Sequence, residues 1–422
     1  MNKSLLKNLS YLGIFLFVTG ISYYLFDFII PSGSGKSLSP GSNKTTQNKD
    51  KNSEIKTGSF TGPKTVACPI NGQLYSKEEQ AIWSKRRPLM VMIENHEDSR
   101  PQSGLQSADI VYEAVAEGGI TRFMGVFYCG IVATEADSEN KYDVGPVRSA
   151  RTYFLDLASE YSDYPLYNHV GGANCSAPKD PVTGRQSGPC TTNKKAQAIE
   201  QIADYGWNNQ GTWGDLSQFS LSYKACRREP DRTGDERATE HTMYCSSSEL
   251  YNIAANRGLT NMTEAKNTAW DKAYRPWILT QKDQPAASSS NISFDFWSGY
   301  KQYTVSWKYD KTTNTYLRSN GGKEHIDFNT QKTISAKNIV VQYAKESRSI
   351  DEHLHNLYEM IGSGKGILFQ NGTKSEITWS KANRLSRTIF KDASGKEVSF
   401  VPGNIWVEIL PLNTDVSYEN TN

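Results

Sequence analysis

Residues 87–127 read RPLMVMIENHEDSRPQSGLQSADIVYEAVAEGGITRFMGVF. Within them, LMVMIEN (89–95) is a short continuous apolar run, which fits a buried strand, and it ends in the polar trio Glu94, Asn95 and His96. DIVYEAVAE and ITRFMGVF are two more apolar, β-rich runs that flank Gly118-Gly119. Together they predict a hairpin with a two-residue turn. Regular pairing about that turn sets Glu117 opposite Ile120, Val115 opposite Arg122 and Glu113 opposite Met124. One face then carries both glutamates, with Arg122 diagonally between them and within reach of long side chains.

Downstream, Gly145-Pro146 predicts a helix start with Pro in the first helical position. Val147, Ala150, Phe154, Leu157 and Tyr161 recur at helical spacing as its buried stripe. SSSELYNIAANRG (246–258) predicts another helix, with Ser246-x-x-Glu249 as a capping box and Gly258 as the stop. QKDQPAASSSN (281–291) is a composition break, and beyond it the pattern alternates like a sheet. Tyr303, Val305, Trp307 and Tyr309 share one face of YTVSWKY. In GILFQNGTKSEITWS (366–380), Asn-Gly sits between two strands. TIFKDASGKEVSF and NIWVEIL predict further strands, for a lobe of about six.

Upstream, Leu12–Ile30 is a 19-residue apolar run with one charge, Asp27, long enough for a transmembrane anchor. It has no small-residue cleavage site and no nearby Cys for lipid attachment. Residues 31–65 are Ser, Gly, Lys, Asn and Thr with almost no apolar side chains and predict a flexible linker. The net charge of +2 hides a division: residues 1–64 hold eight lysines against three acids, so the remainder is net acidic. That balance excludes a generally basic nucleic-acid binder. All six cysteines (Cys68, Cys129, Cys175, Cys190, Cys226, Cys245) follow the apolar run, and their even number fits disulfides in an oxidising compartment. Cys175–Cys190 and Cys226–Cys245 close short loops and are the favoured pairs.

Arg148 and Arg151 stand in the first turns of the predicted helix at 146, where cations oppose the helix dipole. A bound anion would remove that conflict. With Arg100, Arg122 and Arg237, and with Glu94, Glu113 and Glu117 nearby, they suggest an Arg-rich pocket for a phosphate or carboxylate. The same residues also fit an internal network in which the arginines pair with those glutamates and Asp143. His96, His169 and His241 lie at polar strand or loop ends, where a general acid–base set, a metal site and hydrogen-bonded structural histidines are all compatible, with nothing in the spacing that favours metal. No metal is expected, because His-x-x-x-His and C-x-x-C are absent, and no cofactor is expected either. His353 and His355 are spaced for one face of a strand. Gly362-Ser-Gly-Lys-Gly366 lacks the length and the Ser/Thr of a phosphate loop and reads as a turn into the ILFQ strand, and there is no nucleophile elbow or nucleotide fingerprint.

Several stretches together resemble the YerB-like family of bacterial envelope proteins of unknown function: the opening segment, GPVRSAR (145–151), NHVGGA (168–173) and RATEHTMY (237–244). The second block resembles the family's C-terminal module through GGKEHIDF, NIVVQYA, GSGKGILF, ITWSK and PGNIWVEILP. The resemblance implies an extracytoplasmic bacterial protein and no particular reaction. The motif residues it carries over are Glu94, Asn95, His96, Arg100, Glu113, Glu117, Arg122, Arg148, Arg151, His169, Arg237 and His241.

The expectation is therefore an α+β fold. Residues 1–11 form a short cytoplasmic tail, 12–30 a single-pass membrane anchor and 31–65 the linker. Residues 66–280 form a mixed sheet-and-helix module that a layered packing would suit, 281–291 an interdomain linker, and 292–415 a β-rich module. The functional expectation is an accessory binding module on the outer side of the cell membrane, with Asn95, Arg100, Arg122, Arg148, Arg151, His169, Arg237 and His241 holding an anion. Its partners would be the membrane, a cell-wall polymer or precursor, and envelope proteins. The alternatives are an envelope hydrolase or transferase using Glu94, His96, Glu113 or Glu117, and a scaffold for wall-synthesis enzymes.

Overall fold

The computed structural model describes residues 60–135, 141–175, 177, 189–286 and 289–421. The apolar run at 12–30 and residues 31–59 of the linker lie outside the described residues. No helix among the described residues is long and apolar enough to cross a membrane. The described residues all belong to one compact unit.

The fold is mixed but dominated by sheet. Its main strands are β1 (Leu89–Glu94), β2 (Ile110–Glu117), β3 (Ile120–Phe127), β4 (Leu166–His169), β5 (Asp215–Ser217), β6 (Ser289–Phe294), β7 (Val305–Asp310), β8 (Thr315–Asn320), β9 (Asn338–Ala344), β10 (Gly362–Gln370), β11 (Thr373–Lys381), β12 (Ile389–Asp392), β13 (Ile405–Pro411) and β14 (Ser417–Thr421). Helices are few and short: α1 (Lys77–Trp83), α2 (Ile131–Glu135), α3 (Thr152–Ala158), α4 (Ala198–Asp204) and α5 (Ser247–Asn256).

Ten strands make one sheet in the order β12-β11-β10-β9-β13-β2-β3-β1-β4-β5. It runs through both blocks of sequence. The junction is β13 lying parallel to β2, with Ile405 beside Ile110 and Glu408 beside Glu113. The strands at this centre are almost wholly apolar and buried, as strands covered on both faces must be. The second sheet contains β8-β7-β6-β14 and packs over the junction, with Trp307 edge-on to Trp406 at 5.2 Å. On the opposite face, Tyr153 of α3 donates its hydroxyl to the Val115 carbonyl at 2.8 Å.

Several sequence expectations hold. The Asn371-Gly372 turn has positive φ at both residues and joins β10 to β11. Ser246 caps α5, accepting from the Glu249 amide. The disulfides Cys175–Cys190 and Cys226–Cys245 are present, and Cys68–Cys129 is the third.

Others are corrected. No helix starts at Pro146. Residues 146–150 are extended and spend their backbone groups on neighbouring segments: Pro146 O accepts from Glu94 N at 2.9 Å, and Arg148 N donates to Met92 O at 2.8 Å. The helix begins only at Thr152, with Arg151 as its N-cap residue. Val147 and Ala150 are buried, as the predicted stripe required, but from extended backbone. Part of the predicted linker, Ser289 onward, belongs to β6. Gly362–Gly366 is itself the start of β10. His353 and His355 lie in a loop between strands rather than on one strand.

The hairpin register also changes. Glu117 pairs with Ile120 as predicted, but a bulge between Val115 and Glu117 shifts the rest by one residue. Val115 meets Thr121, Ala114 meets Arg122 and Glu113 meets Phe123. Because side chains alternate along a strand, one extra residue moves Glu113 and Glu117 to opposite faces of the sheet.

Candidate functional site: two polar clusters on opposite faces of one sheet

The bulge divides the predicted polar residues into two groups. Glu113 faces the second sheet and meets Arg318 of β8 at 2.5 Å, with both side chains fully buried. Thr121 donates to Glu113 Oε1 at 2.7 Å, and Asn95 Nδ2 donates to Thr121 Oγ1 at 2.7 Å. Arg100 and Asn320 both donate to the side-chain oxygen of Asn95, at 3.1 and 2.7 Å. Gln102 closes the ring through His325, whose Nε2 lies 2.8 Å from its Oε1. His325 Nδ1 faces an Arg318 N–H at 2.6 Å, so it is the acceptor and Nε2 carries the proton. Burial and the adjacent Arg318 hold His325 well below its ordinary pKa, consistent with this neutral form.

Glu408 lies beside Glu113 across the β13–β2 junction and accepts from Trp307 Nε1 at 3.0 Å. Burial, then the neighbouring Glu113 carboxylate, pushes its pKa far up. Glu408 is thus favoured in its protonated form beside Glu113 and Arg318, which suits a sealed interior. Burial lowers the pKa of Arg100 to about 10. Asn95, Arg100 and Glu113 therefore serve the packing of one sheet on the other.

The other face carries Glu94, Arg122 and Glu117, joined by Arg148 and Arg151 from the segment before α3. Glu117 takes both Arg122, at 2.7 Å, and Arg151. Burial alone would raise the Glu117 pKa, but the fields of Arg122 and Arg151 outweigh it and hold the carboxyl far below the usual carboxylate range. Arg148 Nε lies 3.1 Å from Glu94 Oε1, and His241 Nδ1 lies 2.9 Å from Glu94 Oε2. Arg148 and Arg151 thus take different carboxylates. Because α3 starts only at Thr152, Arg148 lies outside its first turn, and Arg151, its N-cap residue, gives its guanidinium to Glu117.

This face still carries three arginines against two glutamates. Arg122 and Arg151 are buried, whereas Arg148 is 27% exposed at the rim. There the rings of His96 and His241 stack in parallel with centroids 4.7 Å apart. Arg237 bonds the Asp98 carbonyl and steadies the 96–98 turn. Glu97, Asp98, Asp235, Glu236 and Arg237 border an adjoining cleft of about 410 Å³. The pKa of His241 is raised, chiefly by its hydrogen bond to Glu94.

His169 stands apart from both clusters. Its ring is fully buried between Asp215, 2.8 Å from Nε2, and the Gly171 carbonyl, 2.5 Å from Nδ1. A cavity of about 580 Å³ bounded by Tyr161, Tyr164, Trp270 and Tyr274 includes none of the predicted residues. Glu160, in its wall, is buried between Lys381, at 3.1 Å, and Arg387, at 2.8 Å.

Sequence reasoning missed Arg318, His325, Glu408, Glu160 and Arg387, because each finds its partner in the other block. It also missed Asp98, whose only local signal is its place two residues after His96.

The chain matches two family models. Residues 72–260 match the "Protein of unknown function (DUF3048) N-terminal domain" and residues 292–407 the corresponding C-terminal domain. It is similar to a Bacillus subtilis (strain 168) protein named "Putative lipoprotein YerB", with 30% identity over 351 residues, covering 82% of this chain and 87% of that protein. Its fold is similar to the crystal structure of the YerB protein from Bacillus subtilis, at a TM-score of 0.60 and 25% identity. That match covers 84% of this chain and all of the other.

Proposed function

This chain belongs to the YerB-like, DUF3048 family of proteins of unknown function, and we propose that it is an envelope-associated accessory protein that binds an anionic ligand at the Arg148 rim. The relative's name, a lipoprotein, supports an envelope location. In this chain the apolar run 12–30, with no Cys before Cys68, would serve as the membrane anchor. The anion is a phosphate or carboxylate of the kind carried by cell-wall polymers and their precursors.

The observation that carries the reading is the charge imbalance on one sheet face. Three arginines face two glutamates there, and Arg148, the one at the rim, stands beside two histidines. The deeper arginines hold the pocket wall, and Arg148 makes the contact. A charge-assisted hydrogen bond contributes about 1.5–3 kcal/mol, so its loss weakens binding by roughly 10- to 100-fold. The test is calorimetric titration of the full chain with inorganic phosphate and pyrophosphate in the presence of a chelator. Saturable binding that weakens about tenfold in Arg148→Ala, but not in Lys345→Ala, is expected. Equal binding by the Arg148 variant would overturn the reading.

A further inference from the structure

We propose that His96, Asp98 and His241 form a binding site for a divalent transition-metal ion of the zinc class. One potential ligand atom from each lies within 4.8 Å of those of the other two. His96 Nδ1 and Asp98 Oδ2 are 3.5 Å apart. Two ligands bound at about 2.1 Å with a tetrahedral angle stand about 3.4 Å apart, so the spacing of the pair suits one ion, which would replace the hydrogen bond that His96 Nδ1 now accepts from the Asp98 amide at 3.3 Å.

His241 is arranged as a metal-binding histidine usually is. Glu94 occupies its Nδ1 at 2.9 Å, which fixes the ring and leaves Nε2 as the coordinating atom. Glu94 is itself held by Arg148, so it acts as a positioning residue. The His96 ring stacks in parallel on His241 at 4.7 Å, so it must turn out of the stack for its in-plane nitrogen to reach the same ion.

Charge on the Asp98 side of the site favours a cation: Glu97, Asp98, Asp235 and Glu236 border the cleft there, against Arg237. Two imidazoles with one carboxylate suit zinc and its first-row neighbours better than magnesium or calcium. Asp98 is largely exposed and His96 a third exposed, so the site is reached from solvent. Three protein ligands leave a coordination position open toward the Arg148 side, where an anion or water would complete the shell.

The site shares its rim with the anion reading but stands without it. The test is titration of the full chain with Zn²⁺ alone, without phosphate, against a competing chromophoric chelator, with Co²⁺ absorption as the geometric readout. One equivalent of tight binding and a ligand-field band in the visible are expected. His96→Ala and Asp98→Asn alter side chains that reach solvent and should each weaken Zn²⁺ at least tenfold and abolish the band. Glu94→Gln should weaken it by roughly 10- to 100-fold, as loss of an outer-shell partner does. His353→Ala, a distant exposed histidine, should change nothing. The absence of stoichiometric binding, or equal binding by the His96 and Asp98 variants, would overturn the proposal. Phosphate binding in chelator with no metal binding would overturn the metal site alone, and the converse would overturn the anion reading alone.

Discussion

Glu117 is the anion that two buried guanidinium groups share. Replacing it by Ala leaves Arg122 and Arg151 uncompensated inside the fold, and losing one partner of a buried pair costs about 3–5 kcal/mol. Urea unfolding of Glu117→Ala should show a loss of that size, and a loss below about 1 kcal/mol would show that water already screens the pair. Because its folded-state pKa is depressed, the Glu117 contribution is present above the ordinary carboxylate range and disappears only as pH falls through the lower, folded-state value. Asp143 behaves oppositely. Burial raises its carboxyl to about 7, partly opposed by the Ser247 hydroxyl that donates to it at 2.6 Å. Between about pH 4, where an unfolded Asp ionises, and about 7, the folded chain holds a proton that the unfolded chain has released. Stability therefore falls as pH rises through that window. Asp143→Asn should flatten the fall in urea midpoint across that range. An unchanged slope would assign the decline to other groups.

At the scale of the element, the two β-hairpins show how local backbone demands set longer geometry. Gly118 and Gly119 both have positive φ, and the ring of Tyr300 lies directly against Gly119. Gly372 has φ +70°, and a Cβ there would come within 2.5 Å of the Tyr309 ring and 2.9 Å of Ala286. Gly395 has a similar φ of +81° with open space around it. Both Gly→Ala changes lose the left-handed allowance, about 1 kcal/mol. Only Gly372→Ala adds overpacking, a further cost of about 1–3 kcal/mol. Thermal unfolding should rank Gly372→Ala clearly below Gly395→Ala, and equal melting points would mean that the Tyr309 ring moves aside freely. The bulge in β2 acts at the same scale: one residue sends Glu113 to the sheet–sheet interior and Glu117 to the Arg face.

For the whole molecule, the central fact is that β13 of the second block completes the sheet beside β2 of the first. Residues 66–280 alone would expose the apolar β2 as an open sheet edge at Ile110–Glu113 and would leave Glu113 without Arg318. Such an edge pairs with other chains. Residues 66–280 expressed alone should therefore aggregate or form oligomers, and adding residues 281–422 as a separate chain should rescue a soluble complex. A stable monomeric 66–280 fragment by size exclusion would show that the shared sheet is not required. The full chain should unfold in a single transition, because the buried Glu113–Arg318–Glu408 group and the Glu160–Arg387 pair tie the two blocks together.

The sequence by itself determined the features that neighbouring residues encode. These are the buried strand at 89–94, both tight turns, the cap of the 247–256 helix, the two short disulfide loops and the polar identity of the candidate residues. Each follows from side-chain period, glycine freedom or loop length, which act over a few positions. Only the tertiary structure decided which polar residues meet. Pro146 sits in extended backbone because neighbouring segments take its hydrogen bonds, a competition that the residues around it do not reveal. Arg148 and Arg151 separate because Glu94 and Glu117 come from different strands, and His96, Asp98 and His241 gather across a long sequence distance. Strand partners and bulges are selected by the burial of whole faces, so the site they create exists only once the sheet is assembled.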